Sequence, residues 1–262
     1  MTVAPQTFEF AQRLLAPLAL DLYHPGGGVR PLIVFGYGGG FTKGARGGAV
    51  HQPLVQRLCE AGFAVAIPDY RLKTGPQDVD ADTLNRIRRI SNRVHRQGWP
   101  LARKLHGVRL YTACMDMSDA IRFCRTHANK MQISDAKIGM LGVSAGALTG
   151  NTLCYPPAVW RSRFAAPDAL VSLCAPVVHP WRIGANGPPV WIIHGQKDRI
   201  VPSIASVATA KAASDTGANI TVTIPADAPH VGISKYVLTR QAESGNTYFE
   251  DIITFLTRHT AV

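Results

Sequence analysis

The sequence predicts an α/β fold, a mostly parallel central sheet flanked by helices. Three observations carry the prediction. Short Val- and Ile-rich runs alternate with longer amphipathic stretches. Several of those runs are apolar on both faces, as strands inside a parallel sheet must be. The chain has 262 residues, 46% hydrophobic and 17% charged, which is globular composition and a length that suits one α/β domain. Strands are expected at residues 18–23, 31–36, 64–68, 137–143, 169–174, 190–194 and 219–224, and helices at 50–61, 112–130, 145–154, 203–214 and 247–258. No internal repeat or low-complexity linker interrupts the series, so 1–262 reads as one domain.

Charge is distributed unevenly. The chain has 28 Lys and Arg against 17 Asp and Glu, a net +11. Between Arg86 and Arg109 lie Arg86, Arg88, Arg89, Arg93, Arg96, Arg103, Lys104 and Arg109, with no acidic residue. The rest has 20 basic against 17 acidic residues, or +3, so most of the surplus is local. This stretch sits in an insertion at about 73–111, far longer than the roughly 4–6 residues that usually join a strand to a helix. Ile87, Ile90 and Val94 recur at helical spacing within it, which predicts a basic helix with one apolar stripe. Inserted after a core strand, such a helix would form a partial lid over the carboxyl ends of the strands and attract anionic substrates. Nucleic-acid binding is the less favoured reading, because one basic helix is a weak signal for it.

Five cysteines without a C-x-x-C pair suggest neither a disulfide framework nor a zinc site. The apolar run at 14–20 is broken by Pro17 and closed by Asp21, unlike a signal sequence, and no stretch approaches the roughly 20 apolar residues a membrane span needs. A cytoplasmic protein without a membrane span is therefore expected.

Chemistry concentrates around Gly142-Val143-Ser144-Ala145-Gly146, a G-x-S-x-G string between a predicted strand and a predicted helix. Ser144 must occupy a sharp, strained turn for its hydroxyl to project above the sheet, and side chains two positions away would collide there. A serine hydroxyl needs an imidazole to take its proton and a carboxylate to orient that imidazole. Asp198 follows the predicted strand at 190–194, and His230 follows the one at 219–224, so both fall at the strand ends where Ser144 lies. Asp168 and Asp227 compete for the acid role, but Asp227 is too near His230 along the chain. His194 is expected to steady the acid's loop. Asp69 and Arg71 are expected to form a buried ion pair with each other. The Ala145 amide, next to the nucleophile, suits an oxyanion donor, and the glycines of Gly36-Tyr37-Gly38-Gly39-Gly40-Phe41 leave backbone amides open toward a ligand. No phosphate-loop or dinucleotide pattern accompanies them.

Tyr37-Gly38-Gly39-Gly40-Phe41 resembles the His-Gly-Gly-Gly-Phe segment of the hormone-sensitive-lipase-like and bacterial feruloyl-esterase-like branches of the α/β-hydrolases, and Pro68-Asp69-Tyr70-Arg71-Leu72 is similar to their Asp-Tyr-Arg-Leu segment. The resemblance runs from about residue 18 to 255. It implies an α/β-hydrolase fold with a Ser144, Asp198, His230 triad, an oxyanion hole of Gly39, Gly40 and Ala145, and carboxylic ester hydrolysis without metal or organic cofactor. Tyr37 stands where the family has His, and the Arg-rich segment has no counterpart there. A serine peptidase or amidase on the same fold, or a non-catalytic relative binding anionic partners, are the alternatives.

Overall fold

The computed structural model describes residues 3–14 and 16–260; Leu15, inside the apolar run at 14–20, and the two ends of the 1–262 reading lie outside them. Among the described residues are eight strands: β1 (Pro5–Ala11), β2 (Leu18–Tyr23), β3 (Arg30–Gly36), β4 (Ala64–Pro68), β5 (Ile133–Val143), β6 (Ala169–Leu173), β7 (Val190–Ile193) and β8 (Ile220–Thr223). The helices are α1 (Gln52–Glu60), α2 (Ala81–Arg96), α3 (Val108–Thr126), α4 (Ala128–Met131), α5 (Ala145–Cys154), α6 (Ile204–Thr216), α7 (Ile233–Thr239) and α8 (Tyr248–Thr260). One sheet holds all eight strands in the order β1-β2-β4-β3-β5-β6-β7-β8. Strand β2 pairs antiparallel with both β1 and β4, and the other pairings are parallel.

All seven expected strands form, with ends shifted by up to four residues. The five expected helices form too, the second ending in a break before α4. Two elements escape the sequence reading. Strand β1 buries only Phe8 fully and pairs at the sheet edge, so it lacks the apolar run that marks the inner strands. Helix α7 has seven residues, too few to show a period.

Adjacent residues on β5 show how the sheet is covered. A Cβ on Gly139 would meet Leu256 and Thr260 of α8, whereas the next side chain, Met140, reaches toward Gly150 of α5. Successive strand residues point to opposite faces, so α5 and α8 cover opposite sides. Every residue of α5 is buried. Helix ends follow local chemistry: Thr247 and Glu250 cap α8 reciprocally, and Asp80 accepts the Thr83 amide at 2.7 Å to start α2.

The insertion is helical, as its stripe predicts. Ile87 and Val94 of α2 are buried and Ile90 is half-buried, while Arg86, Arg88, Arg89, Arg93 and Arg96 are exposed. Ile87 packs with Tyr111 of α3 and Trp160 in a small cluster apart from the main core.

Candidate active site

Parallel register aligns the strand ends. Val143 pairs with Leu173, Leu173 with Ile193, and Ile193 with Thr223, so the chain leaves β5, β6, β7 and β8 along one row. Ser144 is the first residue beyond that row on β5, Cys174 on β6 and His194 on β7. Asp198 and His230 follow a few residues into the loops after β7 and β8.

The turn at Ser144 is strained: φ is +52° and ψ −110°, outside the regions open to L residues. Its amide donates to Leu173 at 2.9 Å, which ties the turn to β6. The flanking glycines are required by contact. A Cβ on Gly142 would lie 2.6 Å from the Ala147 Cα, and one on Gly146 would lie 2.1 Å from the Gly36 carbonyl oxygen.

Ser144 Oγ is 2.9 Å from His230 Nε2, and His230 Nδ1 is 2.6 Å from Asp198 Oδ2. A carboxylate oxygen only accepts, so Nδ1 carries the proton and Nε2 turns its lone pair to the serine hydroxyl. Asp198 is held from several sides. Its Oδ1 accepts the amides of Ile200 (2.8 Å) and Val201 (3.0 Å), and its Oδ2 also accepts from His194 Nε2 at 3.1 Å. Burial alone would raise this carboxyl, but the bonds from His194, His230 and the two amides outweigh it and hold Asp198 well below the usual carboxylate range. The group stays ionised.

His194, fully buried, steadies the acid's loop as expected. Its Nε2 faces two acceptors, Asp198 Oδ2 and the Val201 carbonyl at 2.9 Å, so the ring proton lies there, and Nδ1 accepts from Ser206 Oγ at 2.7 Å. Ser206 of α6 carried no sequence signal for this role. The competing carboxylates are engaged elsewhere: Asp168 with Arg125 at 2.8 Å, and Asp227 with the Tyr236 hydroxyl at 2.6 Å.

The glycine loop passes beside the serine turn; a Cβ on Gly38 would be 3.4 Å from the Ser144 Cβ. Gly39 and Gly40 have φ of +128° and +62°. The Gly39 carbonyl turns away to accept the amides of Thr42 and Lys43. Among the described residues, no protein acceptor takes the amides of Gly39, Gly40 or Ala145. Tyr37 is braced by Tyr70, whose hydroxyl donates to the Tyr37 carbonyl at 2.9 Å while the rings stack at 4.5 Å. Tyr37 also stacks on His51, 6.2 Å away. The sequence shows Tyr70 only as part of a motif; its partner across the loop becomes visible on folding.

One expectation is corrected. Asp69 and Arg71 do not pair with each other. Arg71 bonds the buried Asp116 at 2.9 Å, which also takes Arg13 at 2.9 Å, and Asp69 pairs with Arg46. Side chains two apart past the end of β4 leave in different directions and meet different elements.

Cys174, with φ of +61°, is an unanticipated neighbour: its Sγ, an Asp198 oxygen and a His230 nitrogen lie within 4.8 Å of one another. Burial, reinforced by Asp198, pushes the thiol far above its ordinary value, so Cys174 sits as a neutral group beside the bonded Asp198–His230 pair.

No protein-family model matches the sequence, and no curated protein is similar to it. Solved structures are similar. A thermophilic esterase from the Planctomycetes species Thermogutta terrifontis has a TM-score of 0.69 and 18% identity over 97% of this chain and 92% of that one. Esterase 2 of the same organism, phosphorylated by paraoxon, has a TM-score of 0.71 and 20% identity over 100% and 97%. The esterase with butyrate bound gives 0.67 and 18% over 97% and 92%. The chain has the α/β-hydrolase fold.

Proposed function

We propose that the protein is a serine carboxylesterase. The observation that carries this reading is the chain of hydrogen bonds from Ser144 through His230 to Asp198, set beside backbone amides that have no protein acceptor among the described residues. His230 Nε2 takes the Ser144 proton as Oγ attacks an ester carbonyl, and Asp198 stabilises the imidazolium that results. The amides of Gly39, Gly40 and Ala145 hold the oxygen that becomes negative. His230 then gives its proton to the leaving alcohol, and water repeats the cycle to release the acid. Tyr70 keeps the amides aimed by fixing the Tyr37 carbonyl.

The substrate is a small ester. The similar esterase has been seen with butyrate bound, which favours a short acyl group, and the exposed Arg86 and Arg88 of α2 favour anionic esters. We read 73–111 as a partial lid, supported by Trp99 Nε1 donating at 3.0 Å to the Val177 carbonyl just beyond β6. Five buried thiols without a disulfide suit a reducing, cytoplasmic setting. Among the described residues no helix is long and apolar enough to cross a membrane.

The test is hydrolysis of nitrophenyl butyrate. Ser144→Ala is expected to lower kcat by about 10⁴-fold or more, and paraoxon to add one phosphoryl group to the wild type and none to the variant. Retention of most activity by Ser144→Ala would refute the assignment.

A further inference from the structure

Away from the triad, α2 faces the turn after α5 and the segment beyond β6 across a cavity of about 430 Å³. Arg89, Arg93, Arg96 and Arg182 rim it, and Ile90, Val159 and Trp181 are among its apolar lining. None of Ser144, Asp198 and His230 lines it. Ser144 precedes α5 and Pro157, which does line it, follows the helix; ten helical residues at about 1.5 Å each put the two ends roughly 15 Å apart.

Three features identify what this cavity suits. The first is charge: among the described residues, no carboxylate lies within ion-pair distance of any of the four guanidiniums. Arg89, Arg93 and Arg96 also occupy one face of α2 at spacings of four and three, where like charges repel. The second is orientation. Arg93 lies 4.3 Å over the Trp181 ring, and that contact fixes where the guanidinium sits while leaving N–H groups to meet an oxyanion. The third is the apolar surface, with Val159 left 45% exposed between the charges. A simple inorganic anion would satisfy the arginines and leave that surface wet.

We propose that the cavity is a binding site, separate from the catalytic edge, for a small amphipathic anion: a carboxylate carried on an apolar chain or ring. The carboxylate meets Arg93 and Arg89, and the apolar body lies along Ile90, Val159 and Trp181. Acids of this class are also what ester hydrolysis releases.

Octanoate, below its micelle-forming concentration, is the probe, titrated into the full chain by calorimetry and by Trp fluorescence. Octanoate is expected to bind at least 10-fold more tightly than octanol. Arg89→Gln with Arg93→Gln, and separately Val159→Glu, are each expected to weaken octanoate at least 10-fold while hydrolysis of neutral nitrophenyl butyrate stays within twofold. Octanol binding as tightly as octanoate, undiminished octanoate binding in both variants, or binding only to phosphatidylglycerol vesicles would each overturn the proposal. If the wild type fails to hydrolyse the ester, the esterase reading falls and the titrations still decide the cavity.

Discussion

The sheet and the insertion handle charge in opposite ways. Around the sheet, arginines end on carboxylates: Asp116, with no exposed side-chain surface, holds both Arg71 and Arg13, and Arg46 spans Asp21 and Asp69. In the insertion, Arg86, Arg88, Arg89, Arg93, Arg96, Arg103 and Lys104 are exposed, and none has an acidic partner among the described residues. Charges of the first kind fix geometry, whereas charges of the second kind are available to something outside the chain. The two regions should therefore respond very differently to neutralisation.

The sharpest break comes from Asp116→Ala. Removing that carboxylate strands Arg71 and leaves Arg13 with Asp119 alone, each guanidinium being only about a quarter exposed. Breaking a buried pair by deleting one partner costs about 3–5 kcal/mol, and the water left at the arginines places this case near the lower end. Urea unfolding measures it, and a loss under about 1 kcal/mol would mean that the network is dispensable.

What could be read beforehand divides along the same line. That Ser144, Asp198 and His230 lie together was legible because each follows an apolar run whose carboxyl end must lie at one sheet edge, and the insertion's helix was legible from Ile87, Ile90 and Val94. Partners across the fold were not. Nothing in the sequence joins Arg71 to Asp116, 45 positions away, or Tyr70 to the Tyr37 carbonyl, or Ser206 to His194, since such bonds depend on how separate elements come to lie together. Cys174 escaped for a related reason: a cysteine at a strand end has no pattern until β5, β6 and β7 are in register.

A smaller effect is expected at the seam, where Tyr111 of α3 packs against Trp160 and Ile87 and donates or accepts a hydrogen bond of 2.7 Å with His179 Nε2. Burial, aided by the nearby His106, pushes His179 down to about 3. Unfolded, a histidine titrates near 6.5, so below that pH the unfolded chain takes up a proton that the fold refuses. The resulting stability is complete above pH 6.5 and is lost as pH falls toward 3, at up to about 1.4 kcal/mol per unit, or about 2 kcal/mol by pH 5. His51 and His106, also lowered by burial, add in the same direction. Urea midpoints at pH 7.5, 6 and 5 should decline accordingly, and His179→Gln should flatten the decline. An identical slope in that variant would move the acid sensitivity elsewhere.

The smallest effect on stability is expected from the exposed charges themselves. Arg86→Gln, Arg88→Gln and Lys104→Gln together remove three exposed cations that pair with no carboxylate among the described residues and do not line the cavity beside α2. Glutamine keeps the helix propensity of α2 nearly unchanged. With no attraction lost and some mutual repulsion relieved, the change should stay within about 0.5 kcal/mol, with stabilisation the favoured sign at low salt. Screening distinguishes this from a hidden contact, because repulsion between exposed charges fades within a Debye length of about 10 Å at 0.1 M salt. Any gain seen at 10 mM salt should vanish by 0.5 M. A loss above 1 kcal/mol that persists in 0.5 M salt would mean that these side chains pack or bond like those around Asp116, and the contrast between the two regions would fail.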